Sequence, residues 1–221
     1  MRRTLINQIV RMTLLVPMCL IPFSFTSCSG DDTTSCSGDD TTSSDTTYIN
    51  GYAAVDLGLS VKWATCNIGA DCPEDYGNYY AWGETETKTT SKSVTYGMQM
   101  SDISGRTKYD AATANWGDSW RMPTRDEMEE LINSCTWTWT KENGVNGRLV
   151  TGSNGNSIFL PAAGYRYGTS LEHAGSYGYY WSSTPISGGT DDAYRVRFDS
   201  INVYVGNYYR NHGRTVRPVS E

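Results

Sequence analysis

Residue types suited to catalysis are scarce in this chain and fall late in it. Only two histidines occur, His173 and His212. A Ser–His–Asp site would need one of them, and no serine lies in the glycine pattern of a nucleophile elbow. We therefore expect the chain not to be an enzyme.

Carboxylates are the next group able to hold a ligand, and two sets of them occur. Asp191 and Asp192 could supply oxygen ligands to calcium, which needs several of them, so a calcium-dependent sugar lectin is one alternative. The acids within 126–130 fall at the start of a predicted helix, where acidic residues are ordinary. No C-x-x-C pair indicates a zinc site. We expect neither a bound metal nor a cofactor.

The last third of the chain is instead rich in side chains that make contacts. Nine of the 16 tyrosines lie between residues 165 and 209, and no lysine follows Lys141. Tyrosine offers a large contact area at low entropic cost, and arginine adds bidentate and stacking contacts. Three tyrosines are interpreted as half-buried strand residues: Tyr165, Tyr180 and Tyr194. The predicted ligand-binding residues are Tyr167, His173, Tyr177, Tyr179, Arg195, Arg197, Asp199, Tyr204, Tyr208, Tyr209, Asn211 and His212.

Alternation in two predicted strands separates an inner half from an outer half. Successive side chains of a strand point to opposite faces. Val196 and Phe198 then point to the core, as do Val203 and Val205 in the next strand. The residues left on the outer side are Arg195, Arg197, Asp199, Tyr204 and Gly206. Substitution on the outer side need not disturb packing on the inner side.

One helix and several short strands must hold these residues in place. Thr124 and Glu127 have the spacing of a capping box, and the hydrophobic residues from Met128 onward recur on one helical face. Strands are predicted within 55–65, 77–85, 136–140, 157–165, 179–184, 193–198 and 202–205, with turns at Asn143-Gly144 and Asn146-Gly147 and an irregular segment at 86–115. The expected class is α+β, with short antiparallel strands, one or two helices and long loops.

The first fifty residues are predicted to be a targeting segment followed by a disordered tether. Residues 1–27 combine positive charge with an apolar run too short to span a bilayer, which indicates a signal peptide. It ends at Phe25-Thr26-Ser27-Cys28, which resembles a bacterial lipobox and implies lipidation of Cys28. Residues 28–50 hold an exact duplication of CSGDDTTS, a composition that cannot bury a core and predicts a disordered tether. The folded domain is then 51–221, attached to the membrane only through its N-terminal lipid.

Charge and cysteine content limit the partners and the crosslinks. Beyond the signal peptide the chain has 15 basic and 24 acidic residues, so nucleic acid is not an expected partner. Cys36, Cys66, Cys72 and Cys135 are available for disulfides in an exported protein. Cys66–Cys72 is the nearest pairing, and Cys66–Cys135 is its competitor.

Several segments together resemble one bacterial family of exported proteins, the major paralogous domain group. They are VDLGLSVKWATCNIGA (55–70), YYAWGET (79–85), WRMPTRDEMEEL (120–131), FLPAAGYR (159–166), GYYWSST (178–184) and RTVRPV (214–219). The resemblance covers roughly 52–219 and implies a C-type lectin-like fold. The lipobox resemblance, with Asp31 and Asp32 soon after Cys28, implies an outer-membrane lipoprotein exposed at the cell surface.

The last fifty residues resemble the variable proteins of diversity-generating retroelements, whose C-terminal segment is rewritten at the adenines of Asn codons. The family frame corresponds to YYWSSTP (179–185), Ala193, Val196, Phe198, Val203, Val205, Arg210, Gly213 and 216–219. The outer residues between those points can all arise from AAC by changes at its adenines. The resemblance implies a diversified face that binds a protein or cell-surface molecule. A non-diversified fimbrial tip, adhesion or assembly subunit of the same fold is the alternative.

Overall fold

The computed structural model describes residues 46–221, which form an α+β domain with two short helices and twelve strands. The helices are α1 (Ala111–Trp116) and α2 (Arg125–Ser134). The strands are β1 (Thr46–Ile49), β2 (Tyr52–Val55), β3 (Lys62–Ala64), β4 (Thr136–Glu142), β5 (Val145–Thr151), β6 (Ser157–Pro161), β7 (Tyr165–Tyr167), β8 (Ser170–Glu172), β9 (Gly178–Pro185), β10 (Asp192–Phe198), β11 (Val203–Tyr209) and β12 (Val219–Ser220).

The strands form four small antiparallel sheets. Their orders are β1-β2-β3-β12, β4-β5-β6, β9-β10-β11 and the two-stranded β7-β8. Asn143 and Gly144 join β4 to β5, and both have positive φ, as a two-residue hairpin turn requires. The predicted turn at that position is therefore confirmed.

Helix α2 begins where the sequence predicts it. The Thr124 hydroxyl accepts from the Glu127 N–H, and the Glu127 carboxylate accepts from the Thr124 N–H, which completes the capping box. Met128 and Leu131 are buried against the same core as Val196. Helix α2 thus covers the inner side of the β9-β10-β11 sheet.

Two hydrophobic clusters form the core. One gathers Trp82, Trp120 and Trp181, and the other includes Trp63 and Phe198. Buried Arg217 holds segments together by donating to the carbonyls of Ala64, Thr65 and Phe159 and to the Asn67 side chain. Its charge is satisfied by carbonyl oxygens, as a buried cation requires.

Four predictions about the framework are wrong. Residues 77–85 form no strand, because their backbone makes only an isolated bridge, from Tyr80 to Arg214; their aromatic side chains are nevertheless buried in the core. Asn146-Gly147 lies inside β5 instead of forming a turn. Helix α1 begins at the end of the segment expected to be irregular, capped by buried Asp110.

The fourth wrong prediction concerns the pairing of cysteines in disulfides. Cys66 and Cys135 are free, whereas Cys72 is disulfide-bonded, so neither predicted pairing forms. Burial raises the pKa of both free thiols.

The N-terminal predictions fall mostly outside the described residues. The signal peptide at 1–27, the lipidation site Cys28 and the duplicated CSGDDTTS segments all lie there. The predicted tether extends to residue 50, but Thr46–Ile49 pair in register with Tyr52–Val55 and are ordered strand. Within 46–221, no helix is long and apolar enough to cross a membrane.

Candidate functional site

The outer side of the β9-β10-β11 sheet carries the candidate site. Arg195 on β10 lies opposite Trp181 on β9 and Gly206 on β11, and Arg197 lies opposite Tyr179 and Tyr204. Residues directly opposite each other share a face of the sheet. The other face of the same strands carries buried core residues such as Val196 and Phe198. The predicted division between an inner and an outer half is therefore present.

A second group of rings comes from the β7-β8 hairpin and the chain that follows it. The Tyr165 ring centroid lies 5.3 Å from that of Tyr179 and 5.3 Å from that of His212. The Tyr167 ring also contacts His212, at 4.9 Å. An antiparallel bridge between Arg166 and Gly213 holds β7 beside this turn. Residues far apart in the chain thereby join the rings on the sheet.

Three guanidinium groups lie among the rings. Arg195 lies 5.2 Å from the ring centroid of Tyr179 and 5.8 Å from that of Tyr208. Arg197 lies 4.6 Å from the centroid of Tyr177. Arg214 lies 4.9 Å from the Tyr208 centroid and 4.2 Å from the Trp181 centroid. These distances are within the range of cation–π attraction.

The rings and guanidinium groups form one continuous surface, which we name the aromatic face. Its members are Tyr165, Tyr167, His173, Tyr177, Tyr179, Arg195, Arg197, Tyr204, Tyr208, Tyr209, His212 and Arg214. Asp199 joins it through an ion pair with Arg197 at 3.1 Å. Asn211 lies half-buried in the turn next to His212, and its Oδ1 has no hydrogen-bond partner. The structure thus brings all twelve predicted ligand-binding residues into one region.

Two of those twelve are not exposed as expected. Arg195 is 6% exposed and His212 is 7% exposed, although both were predicted to lie on the ligand-contacting side. They are on that side, but tyrosine rings cover them: Tyr204 and Tyr208 over Arg195, and Tyr167 beside His212. Alternation along a strand specifies a face and does not specify what lies over it.

Two members of the aromatic face are missed by sequence reasoning. From the sequence, Tyr165 is interpreted as a half-buried strand residue. Arg214 lies in RTVRPV (214–219), one of the segments that carry the family resemblance. In β7, Tyr165 and Tyr167 lie on the same side of the strand because they are two residues apart. That spacing could have identified Tyr165, whereas Arg214 contacts the face only through tertiary packing.

Burial dominates the electrostatics of the aromatic face. Burial and then the charge of Arg195 lower the pKa of Arg214 to about 9. Burial and then the charges of Arg214 and Lys88 lower the pKa of His212 to about 4. Hydrogen bonds from the backbone N–H groups of Asn202 and Ile201 help to hold the pKa of Asp199 below its ordinary value. At neutral pH the face therefore presents charged arginines and a neutral His212.

A cavity of about 360 Å³ borders the aromatic face. It is lined by Trp139, Tyr177, Asp199 and Ile201, among others. It could receive a side chain of a bound molecule beside the rings.

Metal coordination has no set of donors among the described residues. No group of three or more His, Cys, Asp or Glu side chains within 46–221 could hold a metal ion. Asp191, one of the two carboxylates considered for calcium, uses its carbonyl to accept from the Arg210 N–H, and Asp191 Oδ1 accepts from the Thr190 hydroxyl. The chemistry that the site offers is ring stacking and hydrogen bonding.

Comparison with known families gives one match. The model of the Lcl C-terminal domain matches residues 53–220, which is almost all of the described chain. No curated protein and no solved structure matches the chain. The matched range contains every member of the aromatic face.

Proposed function

The chain belongs to the Lcl C-terminal domain family, and we propose that it is a lipid-anchored binding protein whose aromatic face contacts a ligand. The family match supports an adhesin-like binding domain at a cell surface. In this proposal the domain has a C-type lectin-like fold and is displayed on the outer membrane through the lipid on Cys28. It has no catalytic role.

One observation carries the proposal: a continuous surface of tyrosine, histidine and arginine is built from separate parts of the chain. Tyr167, Tyr204 and Tyr209 are exposed by 60%, 44% and 49%. Exposed aromatic patches bordered by polar groups mark interaction sites. Rigid tyrosines lose little entropy on binding, and arginine and tyrosine supply much of the energy at protein interfaces.

The ligand class that fits this surface is a protein or another cell-surface molecule. The chain carries a net charge of −6, and the arginines of the face are recessed beneath rings. Nucleic acid would require an exposed basic patch to neutralise its phosphates. We therefore do not include nucleic acid among the ligands.

We propose further that the outer half of the face is diversified. Val196 and Phe198 carry the packing on the inner side and remain constant, while Tyr204 and Tyr208 on the outer side vary. A near-copy of the coding segment for 165–219, differing only at its adenines and lying beside a reverse transcriptase gene, is the expected genomic sign. If no such copy is found, a non-diversified adhesion or assembly subunit of the same fold replaces this version.

The direct test is a triple substitution of Tyr204, Tyr208 and Tyr209 by alanine in the full chain. The probe is an array of purified cell-surface proteins. We expect the native protein to label particular spots and the triple variant to bind them at least about tenfold more weakly, because hot-spot tyrosines are lost. A matched control replaces two exposed hydrophobic residues outside the face, Tyr48 and Val94, by alanine.

Thermal unfolding separates loss of binding from loss of fold. The triple variant is expected to unfold at nearly the native temperature, since the three side chains project outward. Unchanged labelling by the triple variant, or equal losses in the control, would show that the aromatic face is not the binding surface.

A further inference from the structure

The aromatic face contains buried positive charge that no described carboxylate neutralises. Arg195 and Arg214 are 6% and 1% exposed. Among the described residues, Arg197 is the only one of the three arginines with an ion-pair partner, Asp199. The Arg195 guanidinium has a side-chain hydrogen bond with Tyr204, but its Nε and Nη1 atoms, like the Nε atom of Arg214, are buried without a hydrogen-bond acceptor. Buried cations ordinarily have such partners, so these donors point to a group that is supplied from outside.

Gly206 lies beside those donors of Arg195. It lies directly opposite Arg195 on the neighbouring strand, on the same side of the sheet. A Cβ placed on Gly206 would be 3.8 Å from Nη1 of Arg195 and 3.1 Å from Cε2 of Tyr204. The Tyr204 ring therefore lies over Gly206 and closes the space beside Arg195, so this ring must move to open a gap there between Tyr204 and Tyr208. We name this gap the Gly206 slot.

We propose that the Gly206 slot binds a single carboxylate group of a protein ligand, and that Arg195 donates the hydrogen bonds that hold it. The inference rests on the proposed function and specifies the chemistry of its ligand. A planar guanidinium group matches the two oxygens of a carboxylate and can donate to both. The exposed rings of Tyr204 and Tyr208 move apart to admit the group and then cover it.

The recessed position of the guanidinium groups favours binding of a single anionic group over binding of an extended polyanion. The guanidinium groups are recessed under rings, and the chain as a whole is acidic, with a net charge of −6. A long polyanion would need an exposed row of basic side chains. An acidic side chain and a C-terminal carboxylate are the two sources of the group in a protein.

The test follows the side-chain Nε–H signal of Arg195 in the ¹⁵N-labelled full chain by NMR. The signal is assigned by its disappearance in Arg195→Met. Sodium acetate is titrated against sodium chloride at equal ionic strength. We expect a saturable shift with acetate alone, and about tenfold weaker acetate binding in Gly206→Ala, because the added methyl group fills the slot.

Two peptides then identify the source of the carboxylate. One is an acetylated and amidated Gly-Gly-Asp-Gly-Gly, and the other is an acetylated tetraglycine with a free C-terminus. The expected result is that at least one reproduces the acetate shift, while the Asp-to-Asn version of the first does not. The peptide that binds identifies the source of the carboxylate group.

Stability distinguishes a binding arginine from a structural one. Arg195→Met removes an unpaired buried cation, so we expect a melting temperature equal to or above that of the native protein together with loss of acetate binding. Arg125→Met removes a half-buried arginine paired with Glu129 and is the matched control, expected to leave acetate binding unchanged. If Arg195→Met does not fold, Gly206→Ala decides the question.

Three results would overturn the inference. They are no saturable shift with acetate, an equal affinity for acetate in Gly206→Ala, or a shift with dextran sulfate but with neither acetate nor the peptides. Failure of the proposed function is distinguishable, because it appears as unchanged array labelling by the triple tyrosine variant whether or not acetate binds.

Discussion

At the scale of single residues, the aromatic face is layered. Exposed tyrosine rings lie over guanidinium groups, and Arg214 in turn lies 4.2 Å from the centroid of fully buried Trp181. The Trp181 indole also donates to the Tyr80 carbonyl at 2.9 Å. The outer layer is available for contact because the inner layer fixes the backbone beneath it.

Replacing Trp181 by alanine should destabilise the protein by about 3–5 kcal/mol, because it leaves a cavity in the core and removes the support under Arg214. Tyr208→Ala, on the exposed layer, is the control and should cost less than about 1.5 kcal/mol. Urea unfolding followed by tryptophan fluorescence and circular dichroism measures both. A smaller loss for Trp181→Ala than for Tyr208→Ala would contradict the layered arrangement.

His212 should make the stability depend on pH. Its pKa is about 4 in the folded protein and 6.5 unperturbed, so protons bind the unfolded chain more readily. The contribution of neutral His212 is fully present above pH 6.5 and is lost as the pH falls from 6.5 towards 4. The loss amounts to at most about 3 kcal/mol.

The measurement compares the free energy of unfolding at pH 7 and pH 4.5 for the native protein and for His212→Phe. Phenylalanine keeps a ring between Tyr165 and Tyr167 but cannot be protonated. The variant should lose less stability on acidification, and other titrating groups cancel in the comparison. Equal losses in the two proteins would show that His212 is not the group responsible.

At the scale of elements, α2 supports the inner side of the sheet whose outer side carries the aromatic face. Its first turn is fixed by the Thr124 cap, and Glu127 is held in addition by Arg121 at 2.6 Å. The start of the helix, and not only its hydrophobic residues, therefore helps to position the sheet.

Thr124→Ala should destabilise the protein by about 1 kcal/mol, because the Glu127 N–H loses its acceptor at the helix start. Thr138→Ala, at an exposed position of β4, is a control that should change the stability by less than about 0.5 kcal/mol. Chemical denaturation measures both. Equal effects of the two substitutions would mean that the cap contributes nothing beyond the loss of a surface threonine.

Elements with local signals could be predicted from the sequence. The cap and the repeat of hydrophobic residues predict helix α2, and the alternation around Val196 predicts β10. Residues 77–85 lack such a signal: the pairing of Tyr80 with Arg214 depends on a contact across 134 positions of the chain. The strand at Thr46–Ile49 is too short and too polar to differ from a tether by composition.

The same distinction applies to the site. Alternation predicts that Arg195 and Tyr204 lie on the outer side, and it is sufficient to gather most of the aromatic face. Whether a side chain on that side is open or covered depends on rings contributed by other segments, as with His212 between Tyr165 and Tyr167. The sequence therefore predicts the members of the face better than their exposure.

At the scale of the whole molecule, the two sides of one sheet should differ sharply in their tolerance of substitution. The inner positions Tyr180, Val196 and Phe198 are at most 2% exposed, Val205 is half-buried, and all four pack in one core cluster. The outer positions Tyr177, Tyr204, Tyr208 and Tyr209 are half-buried or exposed and contact mainly one another and the arginines.

Two libraries of equal size test this directly, one randomising the four inner positions and one the four outer positions with the same degenerate codon. Displayed variants are challenged with protease, and the resistant fraction of each library is counted by sequencing. The outer library should retain at least about tenfold more folded members, because each inner substitution costs a few kcal/mol from a total of about 5–15. Similar resistant fractions would mean that the outer rings hold the fold together, and a face that must stay constant for stability could not be the one that varies for binding.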